Sequence, residues 1–131
     1  MIDCTNEVYD KIAKVLRNKF KDIKLSSEYI NKPSGFPYVS IVQSDNSIIL
    51  NKTTCVTEMA QIMFEINVYS NKPNQRKIEC EKIMQQIDNI LFSMNFRRMA
   101  VTPVPNMEDA TIYRIAARYR VATDGKNFYR R

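Results

Sequence analysis

Apolar positions recur along the chain at two periods, and the period changes where one element gives way to another. In residues 5–20, Val8, Ile12, Val15, Leu16 and Phe20 form a stripe at helical spacing, backed by lysines and Arg17. Asp3 or Thr5 stands where a short side-chain oxygen can accept an unsatisfied N–H of the first turn. Over 23–30 the period drops to two: Ile23, Leu25, Ser27 and Tyr29 alternate with Lys24, Ser26, Glu28 and Ile30, which predicts a short strand. Lys32-Pro33-Ser34-Gly35-Phe36-Pro37 then interrupts regular structure, because proline lacks an N–H and glycine tolerates turn dihedrals. A strand resumes over 38–43, with Val39, Ile41 and Gln43 opposed to Tyr38, Ser40 and Val42.

Residues 44–58 break the alternation. Polar residues there surround an apolar triplet, Ile48, Ile49 and Leu50. Two readings stay open: a long functional loop, uncommon in compact domains, or a hairpin whose strands run further than the pattern reveals. The alternation returns over 59–69, where Ala60, Ile62, Phe64, Ile66 and Val68 oppose Gln61, Met63, Glu65, Asn67 and Tyr69. After a turn at Ser70-Asn71-Lys72-Pro73-Asn74, a second helix is predicted over 75–94, burying Cys80, Ile83, Met84, Ile87, Leu91 and Met94. Asn95 suits its stop, since asparagine tolerates left-handed dihedrals.

A strand over 96–102 and a turn at Pro103-Val104-Pro105-Asn106 lead to the most informative stretch, 112–121. There Tyr113, Ile115, Ala117, Tyr119 and Val121 alternate with Ile112, Arg114, Ala116, Arg118 and Arg120. One face of that strand can bury while three arginines share the other. Arg97 and Arg98 are neighbours on a strand, so they cannot both join one face. Residues 122–131 read as a flexible C-terminal tail. The order α-β-β-β-α-β-β predicts an α+β fold: a single domain over 1–131, with a mostly antiparallel sheet packed by two main helices.

Composition narrows the chemistry more than the fold. The 131 residues carry a formal net charge of +6, which permits association with nucleic acid or an acidic protein without demanding either. No apolar run reaches the roughly 18 residues of a membrane span. The first residues lack a signal-peptide pattern, so a cytosolic site of action is expected. Cys4, Cys55 and Cys80 are widely separated and fit neither a metal knuckle nor a disulfide framework.

There is no histidine, and the 2 glycines cannot build a phosphate-cradling loop by the usual motifs. Carboxylates fall mainly as singles; the adjacent Glu108 and Asp109 diverge in any regular backbone. Nothing nominates catalytic, metal or cofactor residues, and the expectation is a protein without enzymatic activity.

Three uses of Arg114, Arg118 and Arg120 remain open: pairing across the sheet with Glu65, a subunit or partner seam, or phosphate contacts to nucleic acid. Tyr113 and Tyr119 share their face with Ile115 and Val121. They read as core rather than as a stacking platform for bases, which weakens an RNA-binding reading.

Several segments taken in order resemble a known family. Phe36-Pro37-Tyr38-Val39, then Phe64-Glu65-Ile66-Asn67-Val68-Tyr69-Ser70-Asn71-Lys72, then Pro103-Val104-Pro105-Asn106 leading into Asp109-Ala110-Thr111-Ile112-Tyr113-Arg114 look like the tail completion, or tail terminator, proteins of long-tailed bacteriophages and prophages. The resemblance spans 36–121 and rests on order and spacing, not on one diagnostic motif. It implies a sheet flanked by helices and a structural role in the virion, assembled in the bacterial host cytoplasm. Such proteins form a ring, commonly a hexamer, on the head-proximal end of the tail tube. There they stop tube polymerisation and join the tail to the head connector.

The implied partners are further copies of the chain, the tail tube protein and the head connector or neck protein, with non-specific contact to DNA passing through the lumen, no membrane and no cofactor. The family brings no catalytic residues. Candidate subunit or tube contacts are Ile48, Ile49, Leu50 and Lys52, with Arg114, Arg118 and Arg120 on the basic face. The alternatives are another neck component, such as a head-closure protein, or a small basic nucleic-acid-binding module.

Overall fold

The computed structural model describes residues 3–30, 33–51, 58–105, 111–124 and 128–129. Helix α1 (Thr5–Lys19) opens the chain and buries Val8, Ile12, Ala13 and Leu16. Its start is held by Asp3, whose carboxylate accepts the Thr5 N–H at 2.9 Å. A three-residue strand β1 (Lys24–Ser26) follows, and then the long strands β2 (Tyr38–Asn51) and β3 (Glu58–Ser70).

A tight turn leads to helix α2 (Arg76–Ser93), in which Lys72 O accepts the Gln75 N–H at 3.1 Å and Asn74 sits at φ 62°. Proline at the second position and a positive φ at the third are the type II pattern. Strands β4 (Arg97–Pro103), β5 (Tyr113–Thr123) and β6 (Phe128–Tyr129) complete the order.

The sheet runs β1-β2-β3-β5-β4, with β6 paired to β5. Only β1–β2 is parallel; every other pairing is antiparallel. Both helices pack on one face. Their apolar stripes meet Val39, Ile41, Ile62, Phe64, Ile66, Val68, Ala117, Tyr119 and Val121 in one core, a set that includes the inward residues expected from the period-two alternation.

Helix α2 ends as Asn95 foretold. With Asn95 at φ 68°, Phe96 N–H reaches Leu91 O at 2.9 Å and Asn95 N–H reaches Phe92 O at 3.1 Å. These paired bonds satisfy carbonyls that a helix end otherwise leaves open, and they turn Phe96 into the core beside Phe64. No helix is long and apolar enough to cross a membrane.

Two expectations change. The loop reading of 44–58 gives way to the hairpin: β2 continues to Asn51 and pairs with β3 as far as Glu58. The alternation was hidden because register shifts between Gln43 and Asp45, and between Ile48 and Leu50, each insert an extra residue and reverse the inward parity. The chain beyond 121 is also more structured than a tail. Ala122 and Thr123 are buried in β5, and β6 pairs with them, bringing Phe128 against Phe96 with ring centroids 5.8 Å apart.

Candidate functional site

Among the described residues, the second face of the sheet carries no helix. Register places Arg114 opposite Tyr69, Arg118 opposite Glu65 and Arg120 opposite Met63, all on this face, with Arg97 of β4 opposite Arg120. The β4 register shift between Arg98 and Ala100 puts Arg97, Ala100 and Thr102 on the open side and Arg98 on the helix side. Arg98 there pairs with Asp88 of α2 at 3.5 Å, so the two adjacent arginines do serve opposite faces.

The segment after β1 crosses one end of this face. Ser40 Oγ donates to Glu28 O at 2.8 Å, and Tyr69 OH donates to Ile30 O at 3.3 Å. Beneath it Tyr38, Ser40, Asn67 and Tyr69 are buried, and the Tyr38 and Tyr69 rings meet edge-on at 6.4 Å. Burial pushes the Tyr69 phenol upward in pKa.

Arg114 is seated at this covered end. Its Nε and Nη2 both donate to Asn67 Oδ1, at 2.9 and 2.8 Å, and its guanidinium carbon lies 5.5 Å from the Tyr69 ring centroid. Asn67 Nδ2 is buried and has no acceptor among the described residues.

At the rim of that cover, where Tyr29 of the crossing segment hydrogen-bonds Glu65, Arg118 Nε reaches Glu65 Oε1 at 3.6 Å. The pair is lopsided in exposure, 63% for Arg118 against 15% for Glu65, so water screens it and its expected worth is below about 1 kcal/mol. On the open side of β3 and β5, Glu65 is the one carboxylate, against Arg114, Arg118 and Arg120.

The structure thus brings Arg114, Arg118 and Arg120 together as expected and adds Arg97, which sequence reasoning left unassigned. The missing signal was the β4 register shift, which leaves no mark in hydropathy. Ile48, Ile49 and Leu50 lie on the far part of β2, at the opposite end from β1. Lys52 lies outside the described residues. The 44–58 segment and the arginine strand are therefore parts of one sheet, joined through β3.

Among the described residues, Cys4, Cys80 and Tyr119 are buried and hard to ionise. Burial pushes the Cys4 and Cys80 thiols up to about 12, and the Cys80 thiol faces Val68 O at 3.6 Å and Tyr113 O at 3.5 Å. A thiol with so high a pKa is a poor nucleophile at neutral pH. Tyr119 donates its hydroxyl to Asp88 Oδ1 at 2.8 Å, and burial raises its pKa far above that of a free phenol. Among the described residues no group of three or more Cys, Asp or Glu is placed to hold a metal ion.

No protein-family model matches the chain, and no curated protein matches it in sequence. Among solved structures, a chain of the virion of a native gene transfer agent particle has a similar fold. The two share 17% identity with a TM-score of 0.66, over 86% of this chain and 88% of that one. At that identity the likeness is one of fold.

Proposed function

We propose that the protein is a structural component of a phage-like particle: a ring-forming tail terminator that caps the head-proximal end of the tail tube and joins it to the head connector. The observation that carries the reading is the near end-to-end likeness to a chain of a gene transfer agent virion, which spans most of both chains. The resemblance of the segments across 36–121 to tail completion proteins adds the finer assignment. The architecture suits the role, because one sheet face is consumed by the helices while the other stays polar, basic and open to a neighbour.

A head-to-tail contact closes into a ring when the rotation per subunit closes, and otherwise grows into a filament. A capping ring needs one end that matches the tube and another that refuses a further tube layer. The β2–β3 hairpin, with Ile48, Ile49 and Leu50 on β2, is the element we assign to the tube. The basic face then belongs to a subunit seam or a lumen. Arg114 directs two of its donors to Asn67 and Arg118 faces Glu65, which weighs against a dedicated nucleic-acid site.

The test is polymerisation of the tail tube protein of the same particle, with and without this chain, followed by electron microscopy. Expected are shortened tubes bearing density at one end, and loss of both effects when Ile48, Ile49 and Leu50 are all changed to Ser in a chain that still folds. Tubes of unchanged length with bare ends would remove the terminator role.

A further inference from the structure

The sheet has two unpaired edges of unequal origin. On one side β4 pairs only with β5, and all seven of its residues are exposed, including Met99 at 43% and Val101 at 39%. On the other side β1 covers β2 only from Tyr38 to Ser40, so the outer edge of 41–51 meets no strand among the described residues. Exposed edges present rows of N–H and C=O groups that template pairing with another chain, and proteins that stay monomeric usually blunt them. Here the bulges at Ser44 and Met99 restrict the register without covering either edge.

Polarity and charge say which edges match. Reading across the sheet, β2 and β4 run in opposite directions, because three successive antiparallel pairings separate them. Copies related by rotation about an axis along the strands would therefore meet β4 to β2 in an antiparallel pair, the arrangement that gives straight ladder bonds. Strand β4 carries Arg97 and Arg98 and no carboxylate, whereas β2 carries Asp45 and no cation along its whole length. Arg97 and Asp45 both project on the open side, opposite Arg120 and Met63 respectively. Pairing like edges would bring arginines to arginines or leave Asp45 facing itself.

The hydrogen-bond phase of β4 also suits an incoming strand. Val104 N–H bonds Arg114 O at 2.9 Å, so Thr102 and Ala100, two and four residues back in the same ladder, point their N–H groups toward β5. Val101 therefore turns its N–H outward, whereas Pro103 has none and lies level with Val39, which β1 already covers, so the pairing segment of β4 ends at Val101.

We infer that the chain self-associates head to tail, the outer edge of β4 in one copy adding as an antiparallel strand to the outer edge of β2 in a second copy. Repeated around a ring, this joins the sheets into one continuous wall in which β4 and the outer part of β2 are no longer edges, helices on one side and the arginine face on the other. The inference rests on the ring reading for its closure, but the seam itself is tested without a tube.

The experiment places one cysteine on each edge of the full chain, at Ala100→Cys and Val42→Cys, both on the open side and level with each other across the sheet, with Cys55→Ser in each. A thiol linker of about 10 Å spans two strand spacings and so tolerates a small register offset. The mixed pair should cross-link and neither variant alone should. A chain carrying both cysteines should give a ladder ending in one closed species. Adding Val101→Pro, which keeps the β4–β5 bonds, should cut the mixed product at least about tenfold.

Cross-links of like with like, or no mixed product at the highest protein concentration attainable, would overturn the seam. Cross-linked rings that leave tube length unchanged would uphold the seam and remove the terminator role. Capped tubes whose rings never give the mixed product would do the reverse.

Discussion

On the helix-covered side of β3 and β5, Phe64, Ile66, Ala117 and Tyr119 are sealed from solvent. One residue away along the same strands, Glu65, Ala116, Arg118 and Arg120 look outward with no helix above them. Both faces share one backbone and one set of ladder bonds, so their difference is purely one of side chains. The covered face is where burial of apolar area holds the fold together. The open face buries less apolar area and carries the basic side chains of β5, Arg114 seated on Asn67 and Arg118 against Glu65. Its two ends differ too: under the segment that crosses Ser40 and Tyr69 the polar groups are buried and mutually bonded, while Arg118 beyond it is largely exposed.

Truncation should expose this asymmetry most strongly. Phe64→Ala removes a fully buried ring that meets Phe96 at 5.8 Å, and is expected to cost about 3–5 kcal/mol by urea denaturation. Arg118→Ala, one strand away on the other face, should cost less than about 1 kcal/mol. Equal losses would mean the open face is part of the core.

Alkaline pH should come next, acting through the buried thiols of the covered face. A thiol whose folded-state pKa is raised favours folding fully below its unfolded value, 9.0, and loses that contribution as pH climbs toward about 12. Stability should therefore fall between pH 9 and 12 and be partly rescued by Cys80→Ala. A flat profile would show that Cys4 and Cys80 ionise freely in the folded chain. Within the open face, Arg114→Ala should outweigh Arg118→Ala, because it strands Asn67 Oδ1 in a buried site, at about 1–2 kcal/mol. The smallest effect should be the coupling of Arg118 with Glu65. A double-mutant cycle is expected to return about 0.2–1 kcal/mol, falling with salt.

The sequence exposed the covered face more fully than the open one, for physical reasons. Period-two and helical spacing report burial directly, so the inward residues of β3, β5, α1 and α2 could be read from hydropathy. The pairing of Glu65 with Arg118 was legible because both lie on the polar side of central strands. What escaped was parity beyond an inserted residue. The shift at Ser44 disguised half of β2 as a loop, and the shift near Met99 hid that Arg97 joins the open face. The seat of Arg114 also escaped, since it depends on Asn67 and Tyr69 being roofed by a segment whose path no periodicity encodes.

The central claim is that the open face and the free edges of this chain exist for other copies of itself. Light scattering after size exclusion, across a concentration series of the purified protein, tests it most directly. The account expects a discrete species near six times the 15.3 kDa subunit mass, growing at the expense of monomer as concentration rises. A strict monomer at every concentration would contradict it.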